Sequence, residues 1–594
     1  MMRTPLRPLA RILDAREKGE NPDVIEAEER AIRNVKLQTR MRRRAESRLM
    51  VLGIFFLVCF SVVGVRMSTL AASEPHEPVS AAFIPQIANQ RADIVDRNGE
   101  VLATNLATTA LYAQPSLMVD PKAAAVGLSK IFPDLELDKL TKDLSGKRKF
   151  LWIRKKISPE QQQLVHDLGE PGLLFGPREM RLYPNGKLAA HILGGASFGK
   201  EGVNAAEVIG IAGVERYFDE SLRDPAREGK PLQLSIDLTA QSAMREVLAG
   251  GVKLMNAKGA GAILMDIHSG EILSMVSLPD FDPNNRPRML IKGDPSQSPL
   301  FNRASQGVYE LGSTFKIFQA GINLKEGLVN ENTMIDTRGP LRLGKFKIRD
   351  FHDFGKQLSV TDIIVKSSNI GTARMALAAG ASAQQQMLEK LGFFDTVPVE
   401  LGEAQKARPL LPKRWSDISM MTISYGHGIA VTPLHLAAAY ATVGNGGYKV
   451  KPTIIKQVSV PEAREQVISE NISEKLIKML RAVVTNGTAS FGEVKGYEVA
   501  GKTGSADKPK PSGGYHDDKV ISTFASVFPA SNPKYVLVVT LDEPSIRAHG
   551  EERRTAGWTA VPVSAEIVAR LMPILGLRPN FAAARNFKFV SVRD

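Results

Sequence analysis

Apolar residues fall along this 594-residue chain in two patterns. One is a single unbroken run, LMVLGIFFLVCFSVVGV from Leu49 to Val65, without a charge, which Met67 to Ala72 extend past the lone Arg66. A helix needs about 17 to 25 such residues to cross a bilayer, so the run predicts a spanning helix over 49–70 with Arg66 snorkelling at its end. The other pattern is short runs between turn residues. GAILMDI and EILSMVSL flank His268-Ser269-Gly270 and predict a hairpin of two buried strands; YEVAGKTGSA, VISTFASVF and KYVLVVTLDE predict three more. A helical pattern fills residues 313–485, and a last helix is expected from Val561 to Leu575. Strands, helices, strands and helix in that order predict an α+β fold, an antiparallel sheet flanked by helices and completed by distant parts of the chain.

Upstream, Pro75, Pro78 and Pro85 mark a linker, and Asn98-Gly99 between IV and VLAT marks a hairpin turn. From there to residue 234 strands and helices alternate irregularly, as expected for a mixed α+β module without evident chemistry. The length exceeds what one core supports. The expected organisation is a basic tail at 1–48, an anchor at 49–70, a pedestal or dimerisation module at 71–234, a larger domain at 235–576 and a tail at 577–594.

Charge orients the anchor. Lys and Arg total 77 against 63 Asp and Glu, and residues 1–48 alone hold eleven Arg and two Lys against eight acids. Lys36, Arg40, Arg42, Arg43, Arg44 and Arg48 crowd the run's N-terminal side, and after Arg66 no Lys or Arg appears before Arg91. The positive-inside rule then places the N-terminus in the cytoplasm and the bulk of the chain outside. A 48-residue basic lead without an A-x-A site argues against a cleaved signal peptide, and residues 1–35 read as a mostly solvated tail. No aromatic-interleaved basic patch supports nucleic-acid binding. With Cys59 the only cysteine, no internal disulfide or Cys-rich metal site can form, and no histidine spacing suggests zinc, so no metal and no cofactor is expected.

The candidate chemistry begins with S-x-x-K. Four matches start at Ser197, Ser313, Ser505 and Ser531. For the lysine to take the serine proton, the two must share a helix face at i, i+3. Glycines or prolines break the helix after Ser197, Ser505 and Ser531; only Ser313-Thr314-Phe315-Lys316 opens a helix-like stretch. A lysine serves as base only if burial or a second cation lowers its pKa, and Lys502, in Lys502-Thr503-Gly504-Ser505 at a strand end, is the candidate cation. Gly504 there leaves room for a peptide to add along the strand edge. Ser367-Ser368-Asn369 is the third element: the Ser367 hydroxyl to relay a proton, the Asn369 amide to orient Lys316 or the substrate. Taken alone, Ser367 reads more readily as a helix cap than as a proton relay. The ordered set, with S-x-N 54 positions after Ser313 and K-T-G 135 further on, is far more specific. Two other matches fail on context: Gly195 to Gly199 as a G-x-S-x-G elbow and Gly496 to Thr503 as a phosphate loop, since neither leads into a convincing helix.

S-x-x-K, S-x-N and K-T-G in this order resemble the penicillin-binding proteins and serine β-lactamases over roughly residues 235–576. Arg91-Ala92-Asp93-Ile94-Val95-Asp96-Arg97-Asn98-Gly99, Arg181-Leu182-Tyr183-Pro184 and Gly210 to Glu215 extend the resemblance to the class B members. Ser368, Leu311 and Ala92 depart from commoner residues without removing a group the chemistry needs. The resemblance implies a D,D-transpeptidase that crosslinks peptidoglycan stem peptides through a Ser313 acyl-enzyme, with the N–H groups of Ser313 and Ser505 as oxyanion hole and β-lactam antibiotics as covalent inhibitors. Length, single anchor and short tail look most like the division-specific, septal FtsI type, which implies a membrane glycosyltransferase of the FtsW type and other divisome proteins as partners. An elongation-specific class B enzyme, a β-lactam-binding sensor and a β-lactamase are the rivals.

Overall fold

The computed structural model describes residues 9–72, 91–201, 206–227, 229–344, 346–459, 464–510 and 512–581. The linker prolines Pro75, Pro78 and Pro85 and most of the 577–594 tail lie outside the described residues.

The chain separates into residues 1–86 and 87–594. In the first unit, Leu9–Glu17 is helical and a continuous helix runs Pro22–Ala72. It carries the apolar run, and its Pro22–Thr69 stretch is long and apolar enough to cross a membrane. Where the sequence pattern predicts a solvated tail, the structure has exposed helix; Arg30–Glu26 and Arg42–Glu46 are i, i+4 ion pairs, each worth about 0.3–0.5 kcal/mol on a helix surface.

The second unit begins with the irregular module. Its long strand Val101–Ala113 pairs antiparallel with both Leu151–Ile157 and Leu173–Leu182. The outer half has its own core around Leu111, Leu128, Phe132 and Leu144, whereas Ala92, Ile94, Leu102 and Tyr183 share the main core of the larger domain. At this root the three class B-like segments meet through charge. Glu215, fully buried, accepts from Arg91 Nε and Arg181 Nε, both at 2.7 Å, and Arg91 also pairs with Asp219. Removing one partner of such a buried cluster strands the others, at about 3–5 kcal/mol.

The larger domain is built on a five-stranded antiparallel sheet. Its strands are β1 (Gly259–Asp266), β2 (Ile272–Leu278), β3 (Ala500–Pro509), β4 (Tyr515–Phe528) and β5 (Tyr535–Asp542), in the order β3-β4-β5-β1-β2. The expected hairpin and the three later strands are all present. β5 pairs with β1, Tyr535 opposite Asp266, so residues 269 positions apart in sequence close the sheet. β1 and β2 are apolar and buried almost without alternation because helices cover both faces. α1 (Leu238–Leu254) packs with α7 (Ala560–Ile574) on the Phe524 side, while α5 (Pro433–Gly444) lies against Val527 on the opposite side. Between them in sequence come α2 (Lys316–Lys325), α3 (Val360–Lys366), α4 (Asn369–Lys390) and α6 (Glu470–Asn486). Among the described residues β3 has no strand on its outer side, which leaves a free edge beside the start of α2.

Candidate active site

Ser313 sits in a 3-10 turn, Gly312–Phe315, that runs directly into α2. In 3-10 geometry residues i and i+3 eclipse, so Ser313 and Lys316 project from the same side. The turn is held from beneath: Tyr440 O–H donates to Thr314 O at 2.8 Å, and the Thr314 hydroxyl donates to Leu311 O. The other S-x-x-K serines are placed differently. Ser197 lies in the strand Gly195–Glu201, Ser505 in β3 and Ser531 in a turn. The elbow match is therefore mid-strand, and the phosphate-loop match ends in β3 rather than a helix.

Lys316 and Lys502 are both fully buried. Each donates from Nζ to the Ser367 hydroxyl at 3.0 Å, so one oxygen bridges two lysines. Lys316 also donates to Asn369 Oδ1 at 2.7 Å and to the Ser367 carbonyl; Lys502 reaches Thr503 O at 3.2 Å. Burial drives the Lys316 pKa well below its ordinary value, with Lys502 adding to the effect and Asp350 opposing it. Burial brings Lys502 down to about 7. Two ammonium groups cannot both stay charged at this spacing in a dry site, and a neutral amine is what a proton acceptor for Ser313 must be.

Ser367 reaches this position through an uncommon backbone. It ends α3 in the left-handed region, at φ 63° and ψ 43°, a conformation that costs a non-glycine residue roughly 1–2 kcal/mol and often marks a functional position. The helix cap expected at Ser367 is instead Ser368, whose Oγ accepts from Gly371 N at the start of α4. Asp350, which no sequence pattern singles out, supplies a carboxylate at this helix start: it accepts from Ser368 Oγ at 2.7 Å and from the N–H groups of Asn369 and Ile370. Ser368 thus holds a carboxylate where the commoner motif would carry its own.

β3 brings Lys502, Thr503, Gly504 and Ser505 alongside the Ser313 turn. Thr503 Oγ1 lies 2.7 Å from Thr488 Oγ1, and Ser505 Oγ accepts from Ala556 N at 2.9 Å. The reason for Gly504 differs from the one the sequence suggests. A Cβ there would lie 2.2 Å from Leu311 O and 2.8 Å from Thr314 Cγ2, so the glycine admits the Ser313 turn rather than the substrate. Gly312, at φ 56°, answers from the other side, where a Cβ would lie 2.8 Å from Ser505 O. The backbones of the Ser313 turn and of Ser505 are therefore in direct contact. All the singled-out residues, Ser313, Lys316, Ser367, Asn369 and Lys502 to Ser505, converge on one place, and among the described residues no cluster of histidines, cysteines and carboxylates suited to a metal occurs.

Residues 260–569 match the penicillin binding protein transpeptidase domain, and residues 86–229 match the penicillin-binding protein dimerisation domain. The chain is 34% identical over 537 residues to the probable peptidoglycan D,D-transpeptidase FtsI of Caulobacter vibrioides, covering 88% of each chain. It is 29% identical to the peptidoglycan D,D-transpeptidase FtsI of Escherichia coli, over 84% of this chain and 86% of the relative. Among solved structures, penicillin binding protein 3 of Mycobacterium tuberculosis in complex with aztreonam is similar, with a TM-score of 0.62 and 25% identity over 83% of this chain and 97% of that one.

Proposed function

This chain belongs to the penicillin-binding transpeptidase family, and from that premise we propose that it is a serine D,D-transpeptidase of septal peptidoglycan synthesis with Ser313 as its nucleophile. The observation that carries the assignment of roles is the pair of buried lysines on one Ser367 hydroxyl. Neutral Lys316 takes the Ser313 proton as Oγ attacks the carbonyl of the penultimate D-Ala. The new C–O bond puts charge on the carbonyl oxygen, which the N–H groups of Ser313 and Ser505 receive. The C–N bond then breaks, and the leaving D-Ala amine takes the proton from Lys316 through the Ser367 hydroxyl. Asn369 keeps Lys316 aimed, while Lys502, Thr503 and the free edge of β3 hold the peptide as an added strand. An amine of a second stem peptide resolves the ester into a crosslink.

A β-lactam offers a strained amide in place of the D-Ala-D-Ala bond, so it acylates Ser313 and stays. Labelling the protein with a fluorescent penicillin tests the reading: Ser313→Ala abolishes the label, and strong labelling of that variant would sink the assignment.

The apolar helix and the FtsI-type relatives fit a protein anchored in the inner membrane. On charge, we read the N-terminus as cytoplasmic and residues 71–576 as periplasmic, with 71–234 as pedestal and 235–576 as transpeptidase domain. The same reading assigns a glycosyltransferase of the FtsW type and divisome proteins as partners. Depletion that gives filaments supports the septal role; rounded cells would indicate elongation instead.

A further inference from the structure

A second group of polar side chains stands beside Ser313, and the acylation steps above do not use it. The segments Tyr309 to Gly312 and Tyr425 to Val431 are laced together: Gly312 N donates to Gly426 O at 3.2 Å, and Tyr309 and Val431 exchange both backbone hydrogen bonds at 2.9 Å. This brings Glu310, three residues before the nucleophile, against His427. Glu310 Oε1 accepts from Gly428 N at 2.9 Å and from Tyr515 O–H at 3.2 Å. Its other oxygen, Oε2, and His427 Nδ1 are both buried and have no hydrogen-bond partner among the described residues. A buried polar atom without a partner costs about 1–3 kcal/mol, so two of them side by side next to a nucleophile call for an occupant. The His427 ring lies between Tyr425 and Tyr515, 5.4 and 6.1 Å away. Tyr515, which donates to Glu310, is 41% exposed at the start of β4.

We propose that Glu310 and His427 form the acceptor site for crosslinking: Glu310 Oε2 binds the incoming primary ammonium of the second stem peptide, and His427 Nδ1 takes its first proton. This rests on the transpeptidase reading and adds the group that readies the acceptor. An amine with a pKa near 10 is free base to only about one part in a thousand at pH 7, and only the free base attacks. Of the three ammonium protons, one goes to His427 and then to solvent. The amine attacks the ester carbonyl and a C–N bond forms. The second proton passes to neutral Lys316 and from it to Ser313 Oγ as the C–O bond breaks, and the third stays on the new amide. With its proton on Nε2, neutral His427 presents a lone pair at Nδ1. Burial favours that neutral form and Lys316 reinforces it, whereas the carboxylate of Glu310, the backbone carbonyl of Tyr425 and the carboxylate of Asp507 oppose it. Tyr425 and Tyr515, both pushed up to about 12, stay protonated throughout. A carboxylate and a neutral imidazole suit a cationic amine, which water, the competing nucleophile, is not.

The test uses the full-length protein in detergent with an N-acyl-D-alanyl thioester as donor and D-alanine as the amine acceptor. Transfer and hydrolysis share one acyl-enzyme, so their product ratio is independent of the acylation rate. His427→Gln and Glu310→Gln are each expected to lower that ratio about tenfold or more at pH 7, with most of the loss recovered near pH 9.5, where free amine is abundant. A ratio within about twofold of the unsubstituted protein in both variants, or a loss that high pH does not restore, overturns the proposal. If the unsubstituted protein fails to react with penicillin, the transpeptidase reading fails and the acceptor site with it. A normal penicillin reaction with an unchanged ratio removes the acceptor site alone.

Discussion

Ser367→Ala separates a proton relay from a merely structural hydroxyl. The substitution removes one oxygen and keeps the Cβ, so the left-handed backbone of the residue carries the same steric cost. Two hydrogen bonds of 3.0 Å disappear together, one from each buried lysine. Lys316 keeps Asn369 Oδ1 and the Ser367 carbonyl, and Lys502 keeps Thr503, so neither is left without a partner. The stability loss should therefore stay near the cost of ordinary hydrogen bonds to charged groups, about 1.5–3 kcal/mol each at most. Catalysis should suffer more, and selectively. When the leaving group is an amine, as in a peptide or a penicillin, departure needs a proton, and general acid assistance is worth about 10²–10⁴-fold, or roughly 3–5 kcal/mol of barrier. When it is a thiolate, with a thiol pKa near 8.5, departure needs none. Second-order acylation constants for a penicillin and for a D-alanyl thioester, measured on the same preparation with a thermal unfolding control, read the two cases. The expected result is a loss of about 10²-fold or more on penicillin and no more than about tenfold on the thioester. Equal losses on both would show that the hydroxyl only holds the lysines in place, and would refute the relay.

The pH dependence of penicillin acylation should be a bell. The rate rises as Lys316, held well below its ordinary pKa, loses its proton, and falls as Lys502, at about 7, loses the charge that holds the substrate carboxylate. A rate still climbing at pH 10 contradicts this. Gly504→Ala forces a Cβ to within 2.2 Å of Leu311 O and must push the Ser313 turn from β3. Misplacement on the order of 1 Å costs about 10²-fold, so fluorescent penicillin labelling should slow by that much while the circular dichroism spectrum is retained. Glu215→Ala removes the buried carboxylate that Arg91 and Arg181 share in the root of the module, leaving Arg91 its pair with Asp219, and should destabilise residues 87–594 by about 3–5 kcal/mol, read as earlier unfolding in urea; a loss below about 1 kcal/mol would mean water reaches the cluster.

Much of this was legible in residue order. The charge-free run at Leu49, the five apolar runs that became β1 to β5, and the S-x-x-K, S-x-N and K-T-G series each depend on neighbours in sequence, and local patterning decides such features. Helix compatibility separated Ser313 from Ser197, Ser505 and Ser531, because glycine and proline act on the backbone wherever they stand. Other features need residues far apart. Asp350 becomes the carboxylate at the start of α4 only when the segment after the short strand Phe346–Ile348 folds back on Ser368, and Tyr440 supports the Ser313 turn across 126 positions. Ser367 gives no sign in sequence of its left-handed conformation, which is what turns its hydroxyl toward both lysines. Gly504 looked like room for substrate and proved to be room for Leu311 and Thr314. Chain order determined which groups this protein brings to its chemistry, since propensity and motif are local properties. Tertiary structure alone decided the protonation of Lys316 and Lys502, because desolvation and Coulomb coupling depend on distance in space and on the exclusion of water.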